Sequence, residues 1–198
     1  AKYYYENGAD ELFFQDVVAS LYGRNSMSEI IQKTANEIFI PLTVGGGIRT
    51  VENIQTALNS GADKVAVNTQ SVKNPSFITH AAKIFGSQCI VSSVDAKCIG
   101  DGKWEVYVDN GREPTGLDVI EWAKKLELLG AGEIMLTSID KEGTKKGFDL
   151  ELNNAVSEVV SIPVIASGGA GKASDISELM VKSNVDAAAV ASLLHYDL

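Results

Sequence analysis

The sequence predicts an α/β chain of the (β/α)8, or TIM, barrel class, built as two half-barrels that repeat each other. Three observations predict it. Short apolar runs alternate with longer amphipathic stretches along the 198 residues, the pattern of βα units on a parallel sheet. The runs are nearly continuous in Val, Ile, Leu and Ala, as strands covered on both faces require. Segments also recur at a fixed distance. Gly8-Ala9-Asp10-Glu11-Leu12 returns as Gly130-Ala131-Gly132-Glu133-Ile134. Ile40-Pro41-Leu42-Thr43-Val44-Gly45-Gly46-Gly47 returns as Ile162-Pro163-Val164-Ile165-Ala166-Ser167-Gly168-Gly169. Both recurrences have an offset of 122 (residue 130 against 8, residue 162 against 40). A third pair of strands, beginning at Asp63 and Asp186, is offset by 123, one residue having been inserted.

Taken in order, the predicted strands are residues 11–17, 41–44, 64–67, 89–96, 133–138, 163–166 and 187–191. Helices with readable starts lie between them. Ser26 with Glu29 forms a capping-box pattern, Thr50 precedes the helical run 51–60, and Thr115 with Asp118 opens the run 119–129. The stretch 100–116 departs from this rhythm. Residues 104–108 alternate and Asp109-Asn110-Gly111 offers a turn, so it reads as a hairpin-like excursion from one βα loop. The repeat pairs these runs as barrel strands two to eight, with 89–96 the fifth. Its counterpart, the first, would lie before Ala1, and a last helix would follow the final run. The chain is therefore expected to be a single barrel domain over residues 1–198, incomplete at both ends. An open sheet of that kind exposes two edges, which predicts instability or aggregation.

Composition narrows the function. The chain is 45% apolar and 22% charged, enough to bury one sizeable core. A formal charge of −9 argues against nucleic acid or an anionic membrane as a partner. No apolar run reaches the roughly 20 residues that span a bilayer, and no secretory leader is visible, so a cytoplasmic protein is expected. Cys89 and Cys98 flank one strand-like run without a metal-binding spacing. They read as buried or half-buried thiols of a reducing compartment. His80 and His195 are too few and too scattered for a histidine metal site, and neither metal nor cofactor is expected.

Parallel barrels carry their reactive groups at the C-terminal ends of the strands. Four such ends hold glycine or small polar residues: Gly45-Gly46-Gly47, Asn68-Thr69, Ser167-Gly168-Gly169 and Ala191-Ser192. Glycine lets an anion approach the backbone, and the N–H groups of the following helix start donate to it. Two such turns related by the repeat predict a ligand with a phosphate at each end. Asp16 and Asp95 both read as strand ends, where a carboxylate serves as general acid or base if its pKa is tuned. Asp95 has the better claim, since Ala96-Lys97 and the excursion follow it, whereas Asp16 reads more readily as a loop-bracing residue. Thr137-Ser138 and the loop 140–143 offer further hydrogen-bonding groups. At the opposite ends of the strands, Glu11, Lys64 and Glu133 occupy equivalent positions, and the fourth equivalent is Ala187. They form either an ion-paired ring or three side chains turned to solvent; periodicity does not decide between the two.

These segments closely resemble the cyclase subunit of imidazole glycerol phosphate synthase, an enzyme of histidine biosynthesis. The resemblance runs through residues 8–20, 40–49, 61–69, 85–97, 111–122, 130–152, 162–171 and 186–195, essentially the whole chain. Its most specific parts are Phe85-Gly86-Ser87-Gln88-Cys89-Ile90-Val91 and Leu136-Thr137-Ser138-Ile139-Asp140-Lys141-Glu142-Gly143-Thr144. The resemblance implies a lyase that joins ammonia to a phosphoribulosyl formimino aminoimidazole carboxamide ribonucleotide. The products would be imidazole glycerol phosphate and an aminoimidazole carboxamide ribonucleotide. It further implies that Gly47, Asn68 and Thr69 hold one phosphate and Gly169, Ala191 and Ser192 the other. Asp95 would be one of two acid/base aspartates, with Asp16, Thr137, Glu142, Gly143 and Ser167 lining the site. Glu11, Lys64 and Glu133 would match a gate through which ammonia enters from a docked glutaminase subunit. The sequence also departs from the family. The second aspartate, a lysine-bearing loop and the gate's arginine belong to the first strand and its surroundings; Glu142 stands where Asp is common, and Gln15 replaces an apolar residue. Three other readings are weighed against the cyclase: the sister isomerase of the same pathway, a cyclase paralogue of surface-sugar synthesis, and a non-catalytic phosphate-binding barrel.

Overall fold

The computed structural model describes residues 1–16 and 26–196, the side chains of Ser26 and Tyr196 excepted. It has two compact units, Ala1–Val91 and Ser92–Leu198. The division falls inside the run predicted as the fifth barrel strand, where the second half of the repeat begins.

In the first unit, α1 (Lys2–Glu6) precedes strand β1 (Leu12–Gln15), helix α2 (Ser26–Ala35), strand β2 (Leu42–Gly45), helix α3 (Val51–Asn59) and strand β3 (Lys64–Val67). Helices α4 (Thr69–Lys73) and α5 (Ser76–Phe85) and a 3-10 turn (Ser87–Cys89) follow. The strands lie in the order β1-β2-β3, all parallel. Leu42, Val44, Val65, Ile54 and Ile78 are almost wholly buried, so the continuous apolar runs do mark strands covered by helices.

The second unit takes up most of strand β4 (Ile90–Gly100), whose first two residues close the first unit. It continues with β5 (Lys103–Val108), β6 (Glu113–Asp118), α6 (Val119–Leu129) and β7 (Glu133–Ser138). Helix α7 (Leu150–Ser157), strand β8 (Val164–Ser167), helix α8 (Ala173–Lys182), strand β9 (Ala187–Ala189) and helix α9 (Ser192–Tyr196) complete it. Strands β4, β7, β8 and β9 are neighbours in that order, with β7-β8 and β8-β9 parallel. Strands β5 and β6 form the excursion, β5 antiparallel to β4 and β6 antiparallel to β5. Element order and parallel register are those of a (β/α)8 barrel.

The repeat holds at the level of single hydrogen bonds. Leu12 stands opposite Leu42 as Ile134 stands opposite Val164, and Thr43 opposite Lys64 as Ile165 opposite Ala187. Below β2, the Asp63 N–H donates to the Leu42 carbonyl at 2.9 Å, and its carboxylate accepts the Leu42 N–H at 2.8 Å. Asp186 does the same with Val164, at 2.9 Å for both bonds. An aspartate at the foot of each half thus satisfies a backbone donor that is sealed from water and fixes the register of the strand that follows.

Several local expectations are corrected. Strand β4 does not stop at Ala96 but runs to Gly100, because residues 95–98 pair with β5; Asp95 is therefore not a strand end. Strand β9 is shorter than the predicted 187–191, and Val17, at the end of the first predicted strand, lies outside the described residues. Helix α6 is capped by Asp118, whose carboxylate accepts from the Ile120 and Glu121 N–H groups. Thr115 belongs to β6, its hydroxyl donating to the Val106 carbonyl. Ser26 opens α2, and its side chain, on which the capping-box pattern rests, lies outside the described residues. Cys98 is exposed, not buried, because the excursion carries it out of the covered sheet; Cys89 is half-buried.

Replacing Asp63 or Asp186 with alanine is expected to lower stability by about 1–3 kcal/mol, through a buried N–H left without its acceptor. The exposed Asp10 serves as control, its alanine variant staying within about 0.5 kcal/mol. Urea unfolding midpoints of the three variants check this.

Candidate active site

The C-terminal ends of the strands gather the groups singled out from sequence, half by half. In the first unit β1 ends at Gln15, and the Asp16 N–H donates to the Gly45 carbonyl at 2.9 Å. Gly46 and Gly47 follow with φ of +98° and +70°, values that side chains strongly disfavour. A Cβ on Gly46 would stand 2.1 Å from the Asp16 carbonyl oxygen. In the second unit Gly168 and Gly169 adopt +92° and +106°. A Cβ on Gly168 would meet the carbonyl oxygen of Ser138 at 2.9 Å, and Ser138 is the residue that the repeat equates with Asp16. Both glycine turns are therefore shaped by the same backbone carbonyl of the preceding strand end. Each leads directly into the first turn of a helix, α3 or α8, where N–H groups lack intrahelical partners.

Asn68 and Thr69 stand at the mouth end of β3, both half-buried, and Thr69 opens α4. The Asn68 carbonyl accepts both the N–H and the hydroxyl of Ser71, at 2.9 and 2.6 Å. Ser71, 1% exposed, is a bracing residue that sequence reasoning passed over. In the second unit Ala191 and the half-buried Ser192 lie at the start of α9, just beyond β9.

Asp95, Thr137 and Ser167 are half-buried, each flanked in its strand by buried residues. Thr137 is paired directly with Ser167 across β7 and β8, and Ser167 with Ala189; directly paired residues point to one face. Asp95 lies one residue before Ala96, whose carbonyl accepts the Ile139 N–H at 2.9 Å, so β4 joins β7 beside Thr137. Asp140, one residue further, accepts the Cys98 N–H at 2.7 Å and ties the β4 extension to the loop after β7. Lys97 lies over the Tyr107 ring, 5.5 Å from its centroid. Glu142 is exposed but close: its carboxylate is 3.2 Å from where a Gly168 Cβ would stand. Gly143 follows with φ +71°.

Sequence reasoning undervalued Gln15. It occupies the position that the repeat equates with Thr137, it pairs with Gly45 as Thr137 pairs with Ser167, and its amide oxygen lies 2.7 Å from a Gly45 Cβ position. The offset of 122 was the signal that points to it. Near the first glycine turn, Glu52 carries a depressed pKa, because its own N–H and the Thr50 hydroxyl donate to it, with a smaller attraction from His80.

At the feet of the strands Lys64 pairs with Glu11 at 2.9 Å, and the buried Thr43 hydroxyl donates to the other Glu11 oxygen. Both charged side chains are less than one-third exposed, which rules out the solvent-facing alternative for this pair. Thr43 is a member that sequence reasoning did not name; its register partner is Lys64. Glu133 is half-buried at the foot of β7. The second-half counterparts of Thr43 and Lys64 are Ile165 and Ala187, neither of them charged. Among the described residues no cluster of three or more His, Cys, Asp or Glu is arranged to hold a metal, and no helix is long and apolar enough to cross a membrane.

Comparison with known proteins bears on these arrangements. The family model described as "Histidine biosynthesis protein" matches residues 1–198. A protein of Legionella pneumophila named imidazole glycerol phosphate synthase subunit HisF is 62% identical over 169 residues, covering 85% of this chain and 80% of the relative. Its namesake in Alkaliphilus metalliredigens (strain QYMF) is 52% identical over 197 residues, covering 100% of this chain and 78% of the relative. The relatives carry the name of the cyclase subunit and not of the isomerase. With a matching family model along its length and relatives at these identities, the chain belongs to the histidine biosynthesis protein family, among the HisF cyclase subunits of imidazole glycerol phosphate synthase.

Proposed function

We propose that the mouth of this barrel binds a substrate with a phosphate at each end and closes its imidazole ring with ammonia. The observation that carries this reading is the duplicated glycine turn: positive φ at Gly46/Gly168 and at Gly47/Gly169, with Gly46 and Gly168 packed on the equivalent carbonyls of Asp16 and Ser138. Gly47, Asn68 and Thr69 hold one phosphate; Gly169, Ala191 and Ser192 hold the other. Phosphates suit such turns because the backbone is open to close approach and the helix start presents N–H donors. The substrate is the phosphoribulosyl formimino aminoimidazole carboxamide ribonucleotide, and the products are imidazole glycerol phosphate and an aminoimidazole carboxamide ribonucleotide.

Asp95 acts as an acid/base group. Ammonia addition and ring closure require protons to leave nitrogen and to reach departing oxygen or nitrogen, and a half-buried carboxylate on the strand that joins β7 next to Thr137 supports that role. Asp16, Thr137, Glu142, Gly143 and Ser167 line the site and orient the substrate. Ammonia reaches the ring-forming centre from a glutaminase subunit that docks at the strand feet, where Glu11, Lys64 and Glu133 form the gate. The Lys64–Glu11 pair, braced by Thr43, supports that role. Its charges neutralise each other beside the apolar core, so an uncharged small molecule passes without meeting an unpaired ion. The protein works in the cytoplasm.

In the full-length protein supplied with ammonium, Asp95→Asn is expected to lower kcat by about 10²–10⁴-fold with little change in KM. Steady-state formation of imidazole glycerol phosphate measures it, and a wild-type rate would remove Asp95 from the chemistry. Lys64→Met is expected to reduce turnover supported by glutamine and the glutaminase subunit more than turnover supported by free ammonium. Equal losses with the two nitrogen sources would show that Lys64 acts on the fold or on the chemistry rather than on ammonia entry.

A further inference from the structure

The starts of helices α3 and α8 share one capping arrangement. Three residues into helix α3, the Asn53 side-chain oxygen turns back and accepts the N–H groups of Arg49 and Thr50, at 3.2 and 3.1 Å. Three residues into α8, the Asp175 carboxylate does the same with Gly171 and Lys172, at 2.8 and 3.1 Å. The three pairs of residues, 53 and 175, 49 and 171, 50 and 172, are all related by the offset of 122. The device was thus kept through the repeat, although one half uses an amide and the other a carboxylate. Asp175 is only 7% exposed, a costly placement for a charge unless its bonds are needed.

These four N–H groups belong to the junction between glycine turn and helix, where free donors would attract an anion. Once they are taken by Asn53 and Asp175, an anion meets the glycine N–H groups upstream and those of the helix's own first turn, and not these four. We propose that Asn53 and Asp175 are positioning residues: each ties down the downstream end of its glycine turn and so sets where the phosphate of that half sits. The second turn is held more firmly. Gly171 also abuts the Lys145 carbonyl, 2.2 Å from where its Cβ would stand, and the Gly147 N–H donates to the Gly169 carbonyl at 2.8 Å. Asp175 is the larger contributor of the two, because its bonds are better shielded from water than those of Asn53.

This inference rests on the phosphate reading of the two turns, and the test separates them. Inorganic phosphate is titrated into the full chain and its uptake followed by 31P NMR and calorimetry. The wild type is expected to take up one phosphate in each half. Asp175→Ala weakens one of them by about tenfold and leaves the other within about twofold. Asn53→Ala weakens the opposite one by a smaller factor. Asp175→Asn, which gives the second half the amide that the first already uses, returns affinity to within about twofold of the wild type, a rescue that a general loss of packing would not show. Wild-type affinity at both turns in Asp175→Ala and in Asn53→Ala overturns the positioning role. So does an Asp175→Asn chain as weak as the alanine variant. Should Asp175→Ala fail to fold, Asn53→Ala decides: wild-type affinity at both turns in that variant overturns the positioning role, and a loss confined to one turn supports it. A folded wild type that takes up no phosphate overturns the phosphate reading itself, and this inference with it.

Discussion

At the mouth of each half, a backbone carbonyl occupies the space in which a side chain would have to begin. The Asp16 oxygen sits against Gly46 and the Ser138 oxygen against Gly168; in both places the chain turns with φ that only glycine adopts without strain. Packing at this density admits no compromise. The strand must end where its neighbour's carbonyl ends, the glycines must follow at once, and the helix must start within a few residues. From that constraint come the register of β1 with β2 and of β7 with β8, and the placing of Gln15 against Gly45 and Thr137 against Ser167. The aspartates at the strand feet, Asp63 and Asp186, hold the other end of the same strands. Each half is thus pinned at both ends by backbone contacts that ignore what the remaining side chains do.

That independence explains how the halves have come to differ. The first keeps Thr43, Lys64 and Glu11 joined at the strand feet; the second has Ile165 and Ala187 at the matching places, with Glu133 alone retaining charge. At the mouth the second half carries Thr137 and Ser167 where the first carries Gln15 and Gly45. Polar and charged groups have been distributed unevenly over an evenly repeated frame.

Much of this was legible in the residues. Strands β3 and β7 fall at the predicted bounds, and the helix start at Thr50 and the turn at Asp109–Gly111 are where their residue types point. The offset of 122 marked both glycine turns as equivalent before any coordinates. What stayed hidden depends on contacts distant in sequence. Nothing local shows that β4 continues past Ala96, because its extension exists only by pairing with β5. Thr115 looks like a helix cap as readily as Asp118 does, and only the strand pairing of β6 removes it. Thr43 lies within an apolar run and is recognised as part of the Glu11–Lys64 pair only through cross-strand register. Ser71 reads as one more polar helix residue until its burial under Asn68 is seen. Periodicity reports the elements; which groups face one another is settled by register and by turns that bring separate segments together.

The excursion of β4, β5 and β6 differs from its surroundings in the order in which its contacts form. Parallel neighbours such as β7 and β8 meet only after a loop and a helix have been closed between them, whereas β4 reaches β5 across Asp101 and Gly102, and β5 reaches β6 across a turn of a few residues. Closing short loops costs little entropy, and hairpins form in roughly 1–10 μs, well ahead of long-range parallel pairing. The meander beside Asp95 is therefore among the first tertiary structure the second half acquires. Asp95 stands opposite Tyr107 in that early ladder, so its backbone is in register before β7 and β8 arrive beside it.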